Sequence, residues 1–476
     1  MRSAAILATI GVLGAGVLAF GAKGEIRFFG AVIPPSSANV APTPPDPETA
    51  KLIEALGSEN YREREKAGQT LETKGEKVLP DLRRAMNTTD NPEISRRLAV
   101  LVRRMDYDHL VAPKRVTLTL KDKTAKAALD EISKQTGYRI EFNGGGGGLP
   151  GPGGGGPGGD AKHNFEFDKT PFWVAIDRIA EVSGLNVNAD YGDDAVHVNA
   201  YQDSHNPHVS YAGPFRFIAT GINSSRNVQL SGISKRGFQN RSSESVGLSF
   251  QVYSEPKNPI LGTLPAEVLV AKDENGGNLV PPKDPNNNNF RSSNYYQNSY
   301  RGHNAYGNLS LVRSSKDATS IKTLKGKMGI ILLAGVVPEV VIADPLKVKN
   351  KKVAGRTAEV TLDSVTEVMG QPGQFTVVVT VSKHGVEDQN NIDYNWSNSI
   401  WQKLELVDAS GKKYFTYGPN QINNTNGQSV QLTLPFSTNN RQGQPEKLGP
   451  PVKFVLNEWL QVTHDVTFEF KDIPLP

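Results

Sequence analysis

Two stretches of this chain carry one pattern. Residues 116–142 read VTLTLKDKTAKAALDEISKQTGYRIEF, and residues 163–189, 47 positions on, read HNFEFDKTPFWVAIDRIAEVSGLNVNA. Leu118 and Leu120 correspond to Phe165 and Phe167. Ala125, Ala128, Leu129 and Ile132 correspond to Phe172, Ala175, Ile176 and Ile179. Within each copy these four fall at i, i+3, i+4 and i+7, one apolar face of a helix lying on a sheet. The alternation before each helix, and again at Tyr138, Ile140 and Phe142, is that of a strand with one buried face. Thr170 and Pro171 fit an N-cap and the first helical position. Gly137 and Gly184 fit left-handed C-caps. Each copy therefore reads strand, helix, strand, and a last strand near residues 195–200 closes a duplicated βαβ unit over 114–200. The insertion at 144–159 is almost all Gly and Pro and cannot build a core.

Beyond this unit the chain changes character. Residues 209–476 hold short alternating runs separated by turn residues, among them 215–219, 246–253, 328–333, 375–381 and 466–470. That spacing predicts β-sandwiches. Asp273-Glu274-Asn275-Gly276 and Asp408-Ala409-Ser410-Gly411, 135 residues apart, each follow an apolar strand as a hairpin turn. A break near Asp344-Pro345 gives two tandem sandwiches, 209–344 and 345–476, with a single large β unit as the alternative.

Upstream, residues 48–108 read as helix. Ile94, Leu98, Leu101, Val102 and Met105 make one stripe behind Pro92 and Glu93. The run from Leu56 to Ala67, with Leu71, Gly75, Leu79-Pro80 and Leu82, resembles a HEAT-like helical module of exported bacterial proteins. In the duplicated unit, the run Thr124 to Ile132 with Thr136-Gly137-Tyr138 resembles the first half of the secretin and TonB short N-terminal domain. Phe167 to Trp173, with Ala175 to Ile179, resembles its second half. The resemblance covers about 85 of 476 residues. It implies a periplasmic docking and signalling module without catalytic residues. No secretin pore follows, so it does not extend to gating or transport.

Composition narrows the function classes. A net charge of +4 over 476 residues leaves no basic footprint for nucleic acid. There is no cysteine, which excludes disulfides, thiol nucleophiles, thiolate zinc sites and iron–sulfur clusters. Residues 1–22 read as a signal peptide: Arg2, an apolar run over 4–20, and Ala19-Phe20-Gly21 as a cleavage site. The alternative is an uncleaved anchor, the one place where a membrane enters the reading. Residues 23–47 form a Pro-rich tether.

Catalytic and metal signatures do not survive weighing. Gly153, Gly155 and Gly158 satisfy GxGxxG inside a glycine tract, with no helix behind it to bind a phosphate. His205 and His208 are separated by Asn206-Pro207, and with His197 and Asp193-Asp194 they read as a solvated linker rather than a zinc site. Ser410-Gly411-Lys412-Lys413 fits SxxK but falls on a turn. Arg96, Arg97, Arg103 and Arg104 read as a solvated helix face, with an anionic partner as the alternative. The candidate binding segment is the Tyr/Arg-rich stretch carrying Phe290, Arg291, Tyr295, Tyr296, Tyr300, Arg301 and Tyr306, whose rings and guanidinium groups can stack on a partner.

The expected fold class is multi-domain: an α-helical HEAT-like module, an α+β duplicated βαβ module, then two all-β sandwich domains. The expected function is a non-enzymatic scaffold or adaptor of the cell envelope, exported or periplasmic. It would bind an envelope protein through the βαβ sheet edge or sandwich loops. The alternatives are a glycan-binding envelope protein, with polysaccharide as the partner, and an accessory of a secretion or pilus system. No catalytic residue, cofactor, metal or nucleic acid enters this reading.

Overall fold

A computed structural model describes residues 46–143, 161–189, 194–200, 206–229, 241–282, 296–315, 317–384, 394–425, 428–441 and 443–476. The expected signal peptide, nearly all of the tether and the glycine-rich insertion lie outside the described residues.

Four helices come first: α1 (Pro47–Ala55), α2 (Tyr61–Lys74), α3 (Leu79–Thr88) and α4 (Pro92–Val111). Asn60 and Asn91 cap α2 and α4 by accepting the backbone N–H of Arg62 and of Glu93. Leu56, Leu71, Leu82 and Leu98 bury themselves in one shared core.

The duplicated unit follows, with β1 (Arg115–Thr124), α5 (Ala125–Thr136) and β2 (Arg139–Asn143) as its first copy. The second copy is β3 (Lys162–Pro171), α6 (Phe172–Ser183), β4 (Leu185–Ala189) and β5 (Ala195–Ala200). Strand β1 pairs antiparallel with β3, so that Leu118 meets Phe167 and Leu120 meets Phe165, a two-fold symmetric register. Asp122 and Lys169, at equivalent positions, both take positive φ at matching irregularities. The other sheet has the order β2-β5-β4, with β2 and β5 parallel. Gly137 and Gly184 cap the helices in the left-handed conformation. The N-cap of α6 is Pro171, one residue later than the sequence suggests, because β3 carries its pairing through to Pro171.

The rest is β: β6 (Val209–Ala212), β7 (Phe215–Gln229), β8 (Arg241–Ser254), β9 (Ile260–Thr263), β10 (Glu267–Asp273), β11 (Tyr296–Gly302), β12 (Asn304–Leu311) and β13 (Ser320–Ala343). After it come β14 (Lys351–Ala354), β15 (Ala358–Glu367), β16 (Gln374–Lys383), α7 (Tyr394–Ser399), β17 (Leu404–Asp408), β18 (Gln421–Thr425), β19 (Ser429–Ser437) and β20 (Pro451–Pro474). One sheet has the order β12-β8-β7-β6, and another β14-β15-β16-β19-β18. Both face a six-stranded sheet ordered β11-β9-β13-β20-β17, with β10 also on β13.

The expected fold class is corrected here. The described residues are 50% strand and 26% helix, and no HEAT-like module forms. The four helices close on a single core, and α4 runs past it to pack Tyr107 and Leu110 against the β core. The two sandwiches are not separate domains either. Strands β13 and β20, each 24 residues long, pair from Ser320–Pro474 to Ala343–Lys453. The first half of β13 and the second half of β20 fill the first core with Leu324, Ile330, Phe468 and Phe470. The second half of β13 and the first half of β20 fill the other with Ile342, Phe454 and Leu456. Each sandwich thus holds the end of a strand belonging to the other. The turn at Asp344 ends β13 but separates nothing, because β20 returns along its whole length.

Candidate functional site

The structure divides the sequence-derived binding segment. Phe290, Arg291 and Tyr295 lie outside the described residues. Tyr296, Tyr300 and Arg301 fall on β11, which pairs with β9 at the edge of the six-stranded sheet. Arg301 is engaged within the chain: its guanidinium donates to both carboxylate oxygens of Asp194, at 3.0 and 3.1 Å, and its backbone N–H to Gln402. Tyr306 on β12 stands 56% exposed. Over residues 296–302 and 304–311 the segment is strand.

His205, Asp193, Gly153, Gly155 and Gly158 lie outside the described residues, and the other weighed metal and catalytic residues do not converge. His197 faces Glu141, and His208 lies against the Lys471 carbonyl. Among the described residues no group of three or more His, Asp or Glu could hold a metal ion. Ser410 sits in the hairpin turn, its hydroxyl on Asp408. The α4 arginines are paired in part: Arg97 binds Glu93 and Glu65, and Arg104 binds Glu72. Among the described residues no helix is long and apolar enough to cross a membrane.

One arrangement has the order of a hydrolytic triad. Ser254 Oγ lies 3.4 Å from His303 Nδ1, and His303 Nε2 lies 2.8 Å from Asp194. Ser254 and His303 are both buried, at 1% and 2% exposure, so no substrate carbonyl reaches the hydroxyl. The hydroxyl also points at the His303 carbonyl. These three residues join the βαβ unit to the first sandwich.

That junction is rich in polar contacts. The βαβ unit lies on the end of the first sandwich formed by the β6–β7 turn, the end of β8 and the start of β12. Trp173 donates its indole N–H to the Pro214 carbonyl and packs beside Tyr253. Asp177 accepts Arg216 Nε at 2.7 Å and the Tyr211 hydroxyl at 2.6 Å, and both charged side chains are buried. Burial, and then the charge of Asp177, push the Tyr211 hydroxyl well above its ordinary range. The Arg216 guanidinium also lies over the Tyr253 ring. Burial would raise Asp194, but the His303 bond and the Arg301 charge outweigh it and hold its carboxyl below the usual value.

The turn after β8 ties three units at once. Glu255, wholly buried, accepts the Lys114 backbone N–H at 3.1 Å on both oxygens and the Tyr138 hydroxyl at 2.7 Å. Lys257 donates to the carbonyls of His109 and Ala112, and Asn258 to that of Leu110. These carbonyls end α4 and would otherwise lack partners. Burial pushes the Glu255 carboxyl up to about 7, against the Lys114 N–H, the Tyr138 hydroxyl and the nearby lysine charges.

Sequence reading missed this site. Glu255 stands between Ser254 and Pro256 in what reads as a solvated turn, and its partners lie more than a hundred residues away. Only the interrupted alternation after Tyr253 marks the spot.

Comparison with family models, curated proteins and solved structures finds no match to this chain.

Proposed function

We propose that this protein is a non-enzymatic scaffold of the cell envelope that holds a protein partner by strand addition at β2. The observation that carries the reading is the state of the three-stranded sheet. Strand β5 is central. The β4 edge is covered by the first sandwich, where Arg216 reaches the Val187 carbonyl and Tyr253 reaches Asn188. Strand β2 pairs with β5 alone among the described residues, and its Ile140 and Phe142 are only partly buried. An open strand edge offers backbone donors and acceptors to an added strand. The sequence resemblance of this unit to the secretin and TonB short N-terminal domain, and the signal-peptide-like N-terminus, support the same reading and a partner in the envelope.

The test is capture from native envelope extract by the full chain and by its Phe142→Lys variant, with folding checked by circular dichroism. A protein retained by the wild type and lost by the folded variant supports β2 as the docking edge. Equal retention by both removes β2 from the reading.

A second reading, glycan binding, is favoured by the polar outer face of β12. Tyr306 stands there beside Asn308, which accepts the Ser249 hydroxyl. An exposed ring on a flat polar face can stack on a sugar. Loss of polysaccharide retention in Tyr306→Ala, with the Phe142→Lys variant unaffected, would favour it over the first.

A further inference from the structure

The Glu255 junction is more than a rivet. A carboxyl group is sealed between three units with no exposed surface, and every hydrogen bond it receives crosses a boundary. Lys114 belongs to the linker between α4 and β1. Tyr138 belongs to the connection between α5 and β2. Glu255 itself belongs to the first sandwich, where its backbone N–H donates to Pro214, the same residue that receives Trp173. We infer that Glu255 is a proton-controlled latch, which holds the βαβ unit and its linker on the first sandwich when protonated and loosens them when ionised.

The physical argument rests on what surrounds the group. The charged and titratable side chains that act on Glu255 are Lys114 from the linker, Tyr138 from the βαβ unit and Lys257 from its own turn. Of these, Lys257 donates from its ammonium group to the α4 carbonyls of His109 and Ala112. The donors that reach the carboxylate are the Lys114 backbone N–H, at both oxygens, and the Tyr138 hydroxyl, all of them neutral, and the side chain has no exposed surface. Ionising a buried carboxyl under those terms is costly, and the cost falls on the docked state alone. In the open state the same carboxylate is hydrated and ionises near its ordinary value. The docked state therefore binds the proton more tightly, and docking weakens as pH rises from the ordinary glutamate range, about 4.5, to about 7. The other polar contacts of the interface, Asp177 with Arg216 and Tyr211 and Asp194 with His303 and Arg301, keep the unit attached while the latch region opens. This inference is independent of the scaffold reading, because it concerns the chain alone.

Hydrogen exchange on the full chain reads the latch directly, since the Lys114 amide is one of the donors to Glu255. After correction for the intrinsic pH dependence of exchange, protection of that amide is expected to fall on the order of 100-fold between about pH 5 and about pH 8. In Glu255→Gln, which keeps the acceptor but cannot ionise, protection is expected to be flat. Tyr138→Phe removes a donor that favours the charged form, so its fall is expected at higher pH. Histidine changes charge in the same range, so His303→Asn is the necessary control, and the fall is expected to persist in it. Constant protection in the wild type, a fall that survives in Glu255→Gln, or a fall abolished by His303→Asn would each overturn the latch.

Discussion

The two sandwiches are built alike and used differently. Strands β6, β7, β8 and β12 of the first match β14, β15, β16 and β19 of the second, in the same order. The second strand of each set carries a register shift at the same place, between Ala219 and Gly221 and between Leu362 and Ser364. The bond from Glu255 N–H to the Pro214 carbonyl has its counterpart from His384 to Thr357. The turns at Asp273 and Asp408 make the same contacts, each carboxylate accepting the N–H groups two and four residues on. What differs is the end that receives the βαβ unit. Tyr211, Arg216, Tyr253 and Glu255 of the first sandwich are matched in register by Ala354, Glu359, Ser382 and His384 in the second. A common framework was given a docking face by these side chains together with Arg301 and His303, while the exchange of β13 and β20 made both frameworks one body.

That exchange is the first thing to break. Phe468 is supplied by the second half of β20 to the first core, where its ring stacks on Phe217 at 4.6 Å and lies against Phe250 at 4.9 Å. Phe468→Ala should cost about 4 kcal/mol, the usual scale for a buried ring. Because β20 also lines the second core, denaturant unfolding followed by tryptophan emission should remain a single transition at lower midpoint. Two separated transitions would show that the sandwiches fold independently despite the shared strands.

The docking face comes next. Arg216→Ala leaves Asp177 buried with only the Tyr211 hydroxyl, a loss of about 3 kcal/mol. The expected result is faster hydrogen exchange across α6 with β15 and β16 unchanged. Glu359→Arg, the matching change in the second sandwich, should bring no such coupling. Unaltered exchange in α6 after Arg216→Ala would show that the remaining contacts of the interface, Trp173, Glu255 and Asp194 among them, carry the docking.

A smaller effect sharpens the comparison inside the cores. Gly307 lies opposite Phe250, whose ring would meet an added Cβ at 2.2 Å. The matching pair in the second sandwich is Leu432 opposite Val379. Large and small have changed places across the same rung. Gly307→Leu should cost about 2 kcal/mol by overpacking, and Phe250→Val added to it should restore part of that loss. Calorimetry of the single and double variants decides it, and additive losses would mean the two rungs are not equivalent.

The duplicated βαβ unit was legible because both copies keep one constant separation. Strand, helix and cap repeat at the same spacing, and the apolar positions Ala128, Leu129 and Ile132 fix the helix face. The sandwich duplication showed itself only at Asp273 and Asp408. Its strands share nothing but alternation, and unequal loops change the separation from strand to strand: Pro214 matches Thr357, whereas Ala305 matches Val430. Nor does a local pattern reveal where a strand's second half goes. The segments 328–333 and 466–470 were recognisable as strands, but their extension into 24-residue ribbons depends on pairing with each other. The junction residues are hidden for the same reason. Arg216 alternates correctly as an outward-facing strand residue and becomes buried only because Asp177 is laid over it. The HEAT-like reading failed on a further point, since the stripe of α4 continues through Tyr107 and Leu110 toward a neighbour that the helix sequence does not name.

The smallest effect tests whether the matched turns report to one body. The Ser314 hydroxyl bond, with the N–H groups of Gly277 and Asn275, holds the Asp273 carboxyl below its ordinary value. Burial raises Asp408, but the Ser410 hydroxyl and the N–H groups of Gly449 and Lys412 outweigh it, and that carboxyl too lies low. A folded-state value below the unfolded one means stability present at neutral pH and lost as pH falls through the folded-state value. Asp273→Asn and Asp408→Asn should each lower Tm at pH 7, and the difference from wild type should shrink as acid protonates the native carboxyls. If strand exchange makes the sandwiches one cooperative unit, both variants shift the same calorimetric transition. A separate transition that moves only with Asp408→Asn would return the second sandwich to the status of an independent domain.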